Sequence, residues 1–256
     1  MRRFYFPEMP DRVGTIVDLP NDVIRHLSTV LRQQQGSRFE LFDGRGRLAL
    51  CILEDGGKSA LIEQLSQNAP PSFQIELIQG LAKGEKLDMI LQKGTELGLS
   101  RFILTQSERT VVKITEAKKS SRIERWQKVI HEACRQCGQS FAPEIKFRES
   151  LKAALEDAEG ELRLMLWEDA SIPLDQLLPE KTPVSISLLV GPEGGFSKTE
   201  ADQAQRAGFK AVRLGPRILR TETAGLAILS ILQYLYGDFD INMSNLSSRT
   251  NGKDFS

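Results

Sequence analysis

The chain has 256 residues, of which 40% are hydrophobic and 27% charged, and its 34 Lys and Arg balance its 34 Asp and Glu. This composition excludes a disordered chain, and the length suits one large domain or two small ones. No apolar run approaches the roughly 20 residues of a membrane span, and the first residues, MRRFYFPEMP, lack the apolar core of a secretory signal. Three cysteines are too few for a disulfide framework, so a reducing cytoplasm is the expected location.

Positive charge is concentrated in two parts of the chain. Residues 1–50 contain eight Arg and six acidic residues, and residues 101–140 contain nine Lys and Arg against four Glu. Local basic surface on a neutral protein suits a polyanion such as RNA or DNA. Solvated helix faces would give the same pattern, so charge alone leaves nucleic-acid binding open.

The first 71 residues are predicted to form a small β domain. Residues 38–42 alternate apolar and polar side chains, residues 43–46 have turn composition, and residues 47–53 continue as a strand. This is the pattern of a β-hairpin. A further strand is predicted at 58–65, and residues 68–72, with two adjacent prolines, are the best candidate for a linker.

Strands and helices alternate in residues 72–240, which are predicted to form a second domain. Apolar runs predict strands at 75–79, 101–105, 162–167, 185–190 and 210–214, and helical periodicity predicts helices at 85–97, 121–137 and 221–236. Such alternation is typical of an α/β domain with a mostly parallel sheet. Residues 241–256 are rich in Ser and Asn and are predicted to be disordered.

The sequence LLVGPEGGFSKTEADQA, residues 188–204, places a glycine-rich loop between a strand and a helix. Ser197 and Glu200 have the spacing of a capping box, and Gly208 is a plausible end for the helix. The spacing is not that of a P-loop, and a phosphate would be repelled by Glu193. A carboxylate suits ribose hydroxyls, which indicates a ligand with adenosine but no phosphate, such as S-adenosylmethionine. A tight turn that needs glycine at positive φ is the structural alternative.

A second loop, LGPRILRTET at residues 214–223, also joins a predicted strand to a predicted helix. Ile218 and Leu219 are apolar residues in a loop, which indicates that they cover a ligand. Arg220, Thr221 and Glu222 place polar groups at the helix N-terminus, where free N–H groups lie, and an N-cap role is the structural alternative for Thr221. Two such loops, each feeding a helix, predict one composite pocket at the carboxyl edge of the sheet.

Cys134 and Cys137 have the spacing of a metal or redox pair, but no second cysteine pair and only two histidines accompany them. Both lie on the predicted apolar stripe of their helix, which favours core packing and no metal site. The scarcity of histidine also argues against a Ser-His-Asp hydrolase.

Six motifs occur in a specific order: RRFYF, HLSTVLRQQQGSRFELFDGRG, KGEKLDMILQKGTELG, SERTVVK, LLVGPEGGFSKTE and LGPRILRTETAGLAIL. Together they closely resemble the ribosomal RNA small subunit methyltransferase E family of the SPOUT superfamily, over residues 1–238. The resemblance implies a SPOUT-type α/β domain with a C-terminal trefoil knot, preceded by a PUA-like β-barrel domain that helps to hold RNA. It also implies a homodimer that uses S-adenosylmethionine to methylate N3 of one uridine in 16S rRNA within the assembled 30S subunit.

The resemblance also assigns cofactor-binding positions in this sequence. The first loop supplies Leu189, Val190, Gly191, Pro192, Glu193 and Gly194, the second supplies Leu214, Gly215, Ile218, Leu219 and Arg220, and a preceding strand supplies Leu166 and Trp167. One departure from the family pattern lies at residues 132–138, EACRQCG, where the family more often has Ala-Glu-Gln-Ser-Gly. It leaves the cofactor positions unchanged.

Methylation at N3 of uracil requires loss of the N3 proton, so the site needs a base or a cation that stabilises the anion. Arg220 and Glu222 are the candidate catalytic residues. The candidate RNA-binding residues are Arg2, Arg3, Arg32, Arg45, Arg109 and Lys113, because arginine fits phosphate well. Two alternatives remain: a related SPOUT enzyme that acts on tRNA or on a ribose 2′-oxygen, and a non-catalytic RNA-binding protein.

Overall fold

The computed structural model describes residues 1–239, which divide into two compact units. The first contains Met1–Pro71 and Ser120–Glu144, and the second contains Ser72–Lys119 and the described residues from Ile145 onward. The sequence placed all of 72–240 in the second domain, whereas residues 120–144 pack with the first unit. The predicted tail, 241–256, lies outside the described residues.

The first unit contains a five-stranded sheet in the order β1-β3-β4-β5-β2. Its strands are β1 (Arg3–Tyr5), β2 (Ile16–Asp18), β3 (Arg38–Phe42), β4 (Arg47–Leu53) and β5 (Ser59–Gln67), and a short helix α1 (Asn21–Arg25) runs into a π-helical turn at His26–Val30. The predicted hairpin is confirmed, because β3 and β4 pair antiparallel. Asp43 closes its turn, since its Oδ1 accepts hydrogen bonds from the N–H groups of Arg45 and Arg47 at 2.7 and 3.0 Å.

Helix α3 (Glu116–Cys137) begins five residues before its predicted start and carries Trp126 and Ile130 on its buried face. The ring of His131 stacks on that of Tyr5, with centroids 3.6 Å apart. Burial lowers the pKa of His131 to about 4, so the stacked imidazole is neutral at pH 7. An amphipathic pattern shows that a helix must cover an apolar surface, but not which one, and this is why the return to the first unit was missed.

The second unit is built on a six-stranded sheet in the order β11-β9-β10-β6-β7-β8. Its strands are β6 (Gln74–Gly80), β7 (Arg101–Thr105), β8 (Glu144–Arg148), β9 (Leu162–Leu166), β10 (Ser185–Val190) and β11 (Lys210–Val212). Its helices, besides the start of α3, are α2 (Glu85–Glu96), α4 (Leu151–Glu156), α5 (Lys198–Arg206) and α6 (Thr221–Tyr236). The pairs β11–β9, β9–β10, β10–β6 and β6–β7 are parallel, which confirms the predicted α/β class.

The carboxyl ends of β9, β10 and β11 lie side by side in this sheet, so the loops that follow them share one edge. The capping box that starts α5 is confirmed: the Ser197 hydroxyl accepts from the Glu200 N–H, and the Glu200 carboxylate accepts from the Ser197 N–H. Gly208, at φ 87°, follows the C-terminal end of the same helix. Among residues 1–239, no helix has the length and apolarity needed to cross a membrane.

Candidate active site

A cavity of about 480 Å³ opens at the carboxyl ends of β9, β10 and β11. Its walls come from the loops after these strands and from the first turns of α2 and α6. Most of the predicted cofactor positions line it: Leu166, Trp167, Val190, Gly191, Pro192, Glu193, Leu214, Gly215, Ile218, Leu219 and Arg220. The structure thus brings the two glycine-containing loops together into one composite pocket.

Two of the predicted cofactor positions do not line the cavity. Leu189 is fully buried in an apolar cluster, because successive side chains of β10 point to opposite faces of the sheet. Gly194 is exposed, and its carbonyl oxygen accepts a hydrogen bond from the Arg109 guanidinium at 3.0 Å. A Cβ at position 194 would lie 3.0 Å from the Cβ of Arg109, so this glycine allows the close approach of another loop.

Ten lining residues were missed by sequence reasoning: Lys86, Glu168, Gly195, Phe196, Val212, Arg213, Pro216, Arg217, Thr221 and Ala224. Most of them could have been found, because they are neighbours of the two loop motifs in sequence. Lys86 lies within the motif KGEKLDMILQKGTELG, but it belongs to the first turn of α2, far from either loop in the chain, and the motif does not connect it with the pocket. Only the folded sheet places that turn beside the loop after β10.

Three polar groups join the loop after β10 to β6 and to the start of α6. The Thr221 hydroxyl donates to the carbonyl oxygen of Gly191 at 2.5 Å and accepts from the Gln79 side-chain amide at 2.9 Å. The same amide nitrogen of Gln79 lies 3.2 Å from the Gly191 oxygen. We refer to Gln79, Gly191 and Thr221 as the polar tie. All three residues are buried, so these bonds are shielded from competing water.

The polar tie rules out the structural alternative for Thr221, an N-cap role. The residue that caps α6 is Arg220, which makes no side-chain capping bond, and Thr221 is the first helical residue. Its hydroxyl binds the neighbouring loop instead of the free N–H groups of its own helix. The sequence could not distinguish these uses, because threonine near a helix start serves both.

Glu193 is held by the start of α2. Its Oε1 accepts a hydrogen bond from the Lys83 N–H at 2.9 Å and lies 3.5 Å from the Lys86 ammonium. Partial burial by itself would raise the pKa of Glu193, but the Lys83 N–H and the Lys86 charge outweigh burial and hold the pKa below its usual value. The carboxylate is therefore ionised at neutral pH and fixed in direction.

The two predicted catalytic residues have different environments. Arg220 is exposed and lines the cavity. Glu222 is not among the lining residues, and its Oε2 faces the Lys86 ammonium at 3.6 Å. Lys86 thus lies between two carboxylates, one from each side of the pocket.

Among the predicted RNA-binding residues, Arg2, Arg32 and Arg45 are exposed in the first unit, and Arg109 and Lys113 are exposed in the second. Arg3 does not fit this role, because its side chain is only 13% exposed. Its Nε lies 2.5 Å from Glu40 Oε1, and its guanidinium donates to the Gly138 carbonyl and lies over the ring of Phe42. Arg3 therefore stabilises the first unit.

The cysteine pair does not share one environment. Cys134 is buried, as predicted, and burial raises the pKa of its thiol to about 12. Cys137 is exposed, so its predicted place in the apolar stripe was wrong. Within the described part of the chain, no three His, Cys, Asp or Glu side chains come together as a metal site would require.

Two protein-family models match the chain: an RNA methyltransferase domain at residues 69–233 and an RNA methyltransferase PUA domain at residues 19–65. A ribosomal RNA small subunit methyltransferase E of Bacillus subtilis is 32% identical over 227 residues, which cover 84% of this chain and 89% of the relative. This chain belongs to the ribosomal RNA small subunit methyltransferase E family. Another member of the family, from Aquifex aeolicus, is 32% identical over 91% of this chain and 99% of its own.

Solved structures of this family have the same fold. One member from Neisseria gonorrhoeae, bound to S-adenosyl methionine, matches with a TM-score of 0.83 and 36% identity over 93% of this chain and 99% of its own. A methyltransferase from Legionella pneumophila, in complex with the cofactor SAM, matches with a TM-score of 0.84 and 32% identity over 91% of this chain and 97% of its own. The second unit is thus an α/β methyltransferase domain, and the N-terminal domain is of the PUA type.

The polar tie predicts a large effect of Thr221→Val, which keeps the shape of the side chain but removes the hydroxyl. Buried Gly191 and Gln79 each lose a partner, so we expect the free energy of unfolding to fall by about 1–3 kcal/mol. Hydrogen exchange at the Gly195 amide, which bonds the Pro192 carbonyl, should also accelerate.

The matched control is Thr223→Val, an exposed threonine two residues further along α6. Chemical denaturation and exchange measurements on both variants give the comparison. Equal losses of stability in the two variants would contradict a special role for the polar tie.

Proposed function

We propose that this protein transfers a methyl group from S-adenosylmethionine to N3 of a uridine in the 16S rRNA of the small ribosomal subunit. The observation that carries the proposal is the composite cavity, whose two loops contain both family motifs in one pocket. Membership of the family and the S-adenosylmethionine bound by its relatives support the same conclusion.

The residues of the cavity fit this cofactor. A volume of about 480 Å³ is in the range that small-molecule sites occupy. Trp167, Val190 and Leu219 offer apolar surface for an adenine ring, and ionised Glu193 suits either ribose hydroxyls or a positive sulfonium. A phosphate would meet the Glu193 charge, so a nucleotide fits less well. When bound, S-adenosylmethionine supplies an electrophilic methyl group, and the protein contributes mainly orientation.

The opening of the cavity suits a negatively charged substrate. Arg213, Arg217 and Arg220 all line the cavity and are exposed. In our proposal they contact phosphate or base oxygens of the RNA that approaches the pocket, and Arg220 is the one that reaches a uracil carbonyl.

RNA docking outside the pocket is assigned to the exposed cations Arg2, Arg32, Arg45, Arg109 and Lys113. Arg32 and Arg45 lie within residues 19–65, which match the PUA domain. A pocket that reads one base cannot select one uridine among many, so we propose that the substrate is structured RNA within the assembled 30S subunit. The cytoplasm is the compartment consistent with this substrate.

The proposal also includes the trefoil knot and the homodimer that the family resemblance implies. Close packing around the loop after β10 supports the knot: Thr221 at the start of α6 bonds to Gly191, and a Cβ on Gly80 at the end of β6 would lie 2.5 Å from Pro192. The homodimer is supported by apolar side chains on α6, where Ile231, Tyr234 and Leu235 are 39%, 64% and 46% exposed. Their i, i+3, i+4 spacing makes one stripe, and such patches commonly mark interfaces.

Methylation in vitro tests the reaction. Purified protein and S-adenosylmethionine labelled in the methyl group are incubated with 30S subunits, with naked 16S rRNA and with tRNA, all from a strain that lacks the protein. We expect N3-methyluridine from the 30S subunit and much less from naked rRNA, because the proposed substrate is structured RNA within the assembled subunit. Nucleoside mass spectrometry identifies the product, and a 2′-O-methyl nucleoside, a tRNA product or no product would overturn the proposal.

Glu193→Gln tests the cofactor site. The neutral amide can still accept from the Lys83 N–H, so the loop should stay folded, but a charge-assisted contact to the ligand is lost. We expect S-adenosylmethionine binding to weaken about tenfold, roughly 1.4 kcal/mol, in calorimetry, with the thermal midpoint unchanged. Asp202→Asn on the exposed face of α5 is the control. Wild-type affinity in Glu193→Gln would leave Glu193 as a turn residue only.

Leu235→Glu tests the homodimer. A charge in the middle of an apolar interface costs several kcal/mol when buried, so we expect this variant to sediment as a monomer where the wild type sediments as a dimer. Lys198→Glu, an exposed change on α5, should leave the dimer intact. If Leu235→Glu sediments like the wild type, the stripe on α6 is not the interface.

A further inference from the structure

The Lys86 ammonium reaches the cavity from the first turn of α2, outside the two glycine-containing loops. It lines the pocket, and its Nζ lies 3.5 Å from Glu193 Oε1 and 3.6 Å from Glu222 Oε2. An ammonium has three N–H donors, and at these distances the two carboxylates direct the group without using all three. Lys86 can therefore donate to a ligand in the cavity while both ion pairs remain.

Glu222 has little capacity to act directly on a substrate. Its Oε2 is buried without a hydrogen bond, and its side chain is only 13% exposed. Its clear electrostatic partner is Lys86, whose side chain is 33% exposed. The carboxylate that sequence reasoning assigned as a base thus lies where it orients a cation.

The chemistry at uracil N3 requires such a cation. Loss of the N3 proton leaves negative charge that is shared with the two carbonyl oxygens beside N3. A fixed ammonium next to one of these oxygens stabilises the anion, and stabilisation by fixed charges is commonly a large contribution to catalysis. Arg220 lies at the exposed rim, whereas Lys86 is held between the two sides of the pocket.

We propose that Lys86 is a catalytic residue that donates a hydrogen bond to a carbonyl oxygen of the target uracil, and that Glu193 and Glu222 are positioning residues that hold its ammonium in place. This inference rests on the proposed uridine-N3 methylation. In the reaction the N3–H bond breaks and its proton passes to solvent water. The N3 lone pair then forms the bond to the methyl carbon as the carbon–sulfur bond breaks, and the electron pair of that bond stays on sulfur as a neutral thioether.

The experiment compares Lys86→Met with the wild type on two substrates: 30S subunits with ordinary uridine and 30S subunits assembled from RNA that contains 5-fluorouridine. Fluorine makes the N3 proton more acidic, so the anion needs less stabilisation. We expect Lys86→Met to lose about 10²-fold or more in single-turnover rate with uridine at neutral pH. The loss should shrink with 5-fluorouridine and as the pH rises, because either change supplies the anion by other means.

Binding and folding are measured separately. Calorimetry with S-adenosylmethionine should give affinities within a few-fold of each other for Lys86→Met and the wild type, and thermal unfolding should show both folded. Lys93→Met, on the same helix but paired with Glu96, is the control and should keep the wild-type rate. Glu222→Gln leaves the ammonium in place but loosens it, so we expect a smaller loss with the same dependence on pH and on fluorine.

Several results would overturn the inference. They are a wild-type rate in Lys86→Met, an equal loss with both RNAs, and loss of cofactor binding in Lys86→Met, which would make Lys86 a binding residue. If Lys86→Met does not fold, Glu222→Gln alone decides by its response to fluorine. Failure of the proposed function is distinguished by the wild type, which would then form no N3-methyluridine at all.

Discussion

The carbonyl oxygen of Gly191 is the point on which the pocket depends. It accepts hydrogen bonds from Thr221 and from Gln79, and these groups come from the start of α6 and from β6. A buried carbonyl that loses its partners costs free energy, so the two elements and the loop between them have one favoured arrangement. Because Thr221 directly follows the second glycine-containing loop, its bond to Gly191 holds the two loops side by side in one wall of the cavity.

The charged side chains Glu193 and Lys86 lie at the same wall of the cavity. Lys83, which precedes α2, supplies a backbone N–H, and the first turn of α2 supplies the Lys86 ammonium; together they fix Glu193 on the loop after β10. A helix N-terminus favours a nearby carboxylate, which explains how a glycine-rich loop accommodates an acidic residue at its centre. The polar tie therefore holds the backbone of the loop after β10 at Gly191. The contacts to Lys83 and Lys86 hold the Glu193 side chain on the same loop.

The sequence predicted the elements that support the pocket well. The bounds of β7, β10 and α6 agree with the structure, and the capping box of α5 is formed, because long apolar runs and local capping chemistry are encoded in neighbouring residues. The three-residue strands β1 and β2 and the short helices α1 and α4 were missed, because such short segments contain too little of a period to detect.

The sequence did not predict the roles of Thr221 and Lys86 in the site, and the cause is different. Thr221 has the residue type and the position of an N-cap, yet its hydroxyl bonds to Gly191, which is 30 residues away in the chain. Lys86 is a lysine on an amphipathic helix, and the usual interpretation of that pattern is a solvated surface. Both roles arise from the order of the strands, which places β6 beside β10, and a local pattern does not contain that order.

The distribution of charge also explains how one pocket can serve a cation and a polyanion. Glu193 and Glu222 both lie close to the Lys86 ammonium, at 3.5 and 3.6 Å, while Arg213 and Arg217 are exposed and line the cavity. Coulomb forces between exposed groups are screened within about 10 Å in salt, whereas those between partly buried groups persist. In the proposed function the arginines therefore act on RNA only at close approach, whereas the interactions of Lys86 with the two carboxylates are screened less. Lys86 has two roles in this proposal. Its ammonium compensates the charges of Glu193 and Glu222, and it also lines the cavity in which the target base would bind.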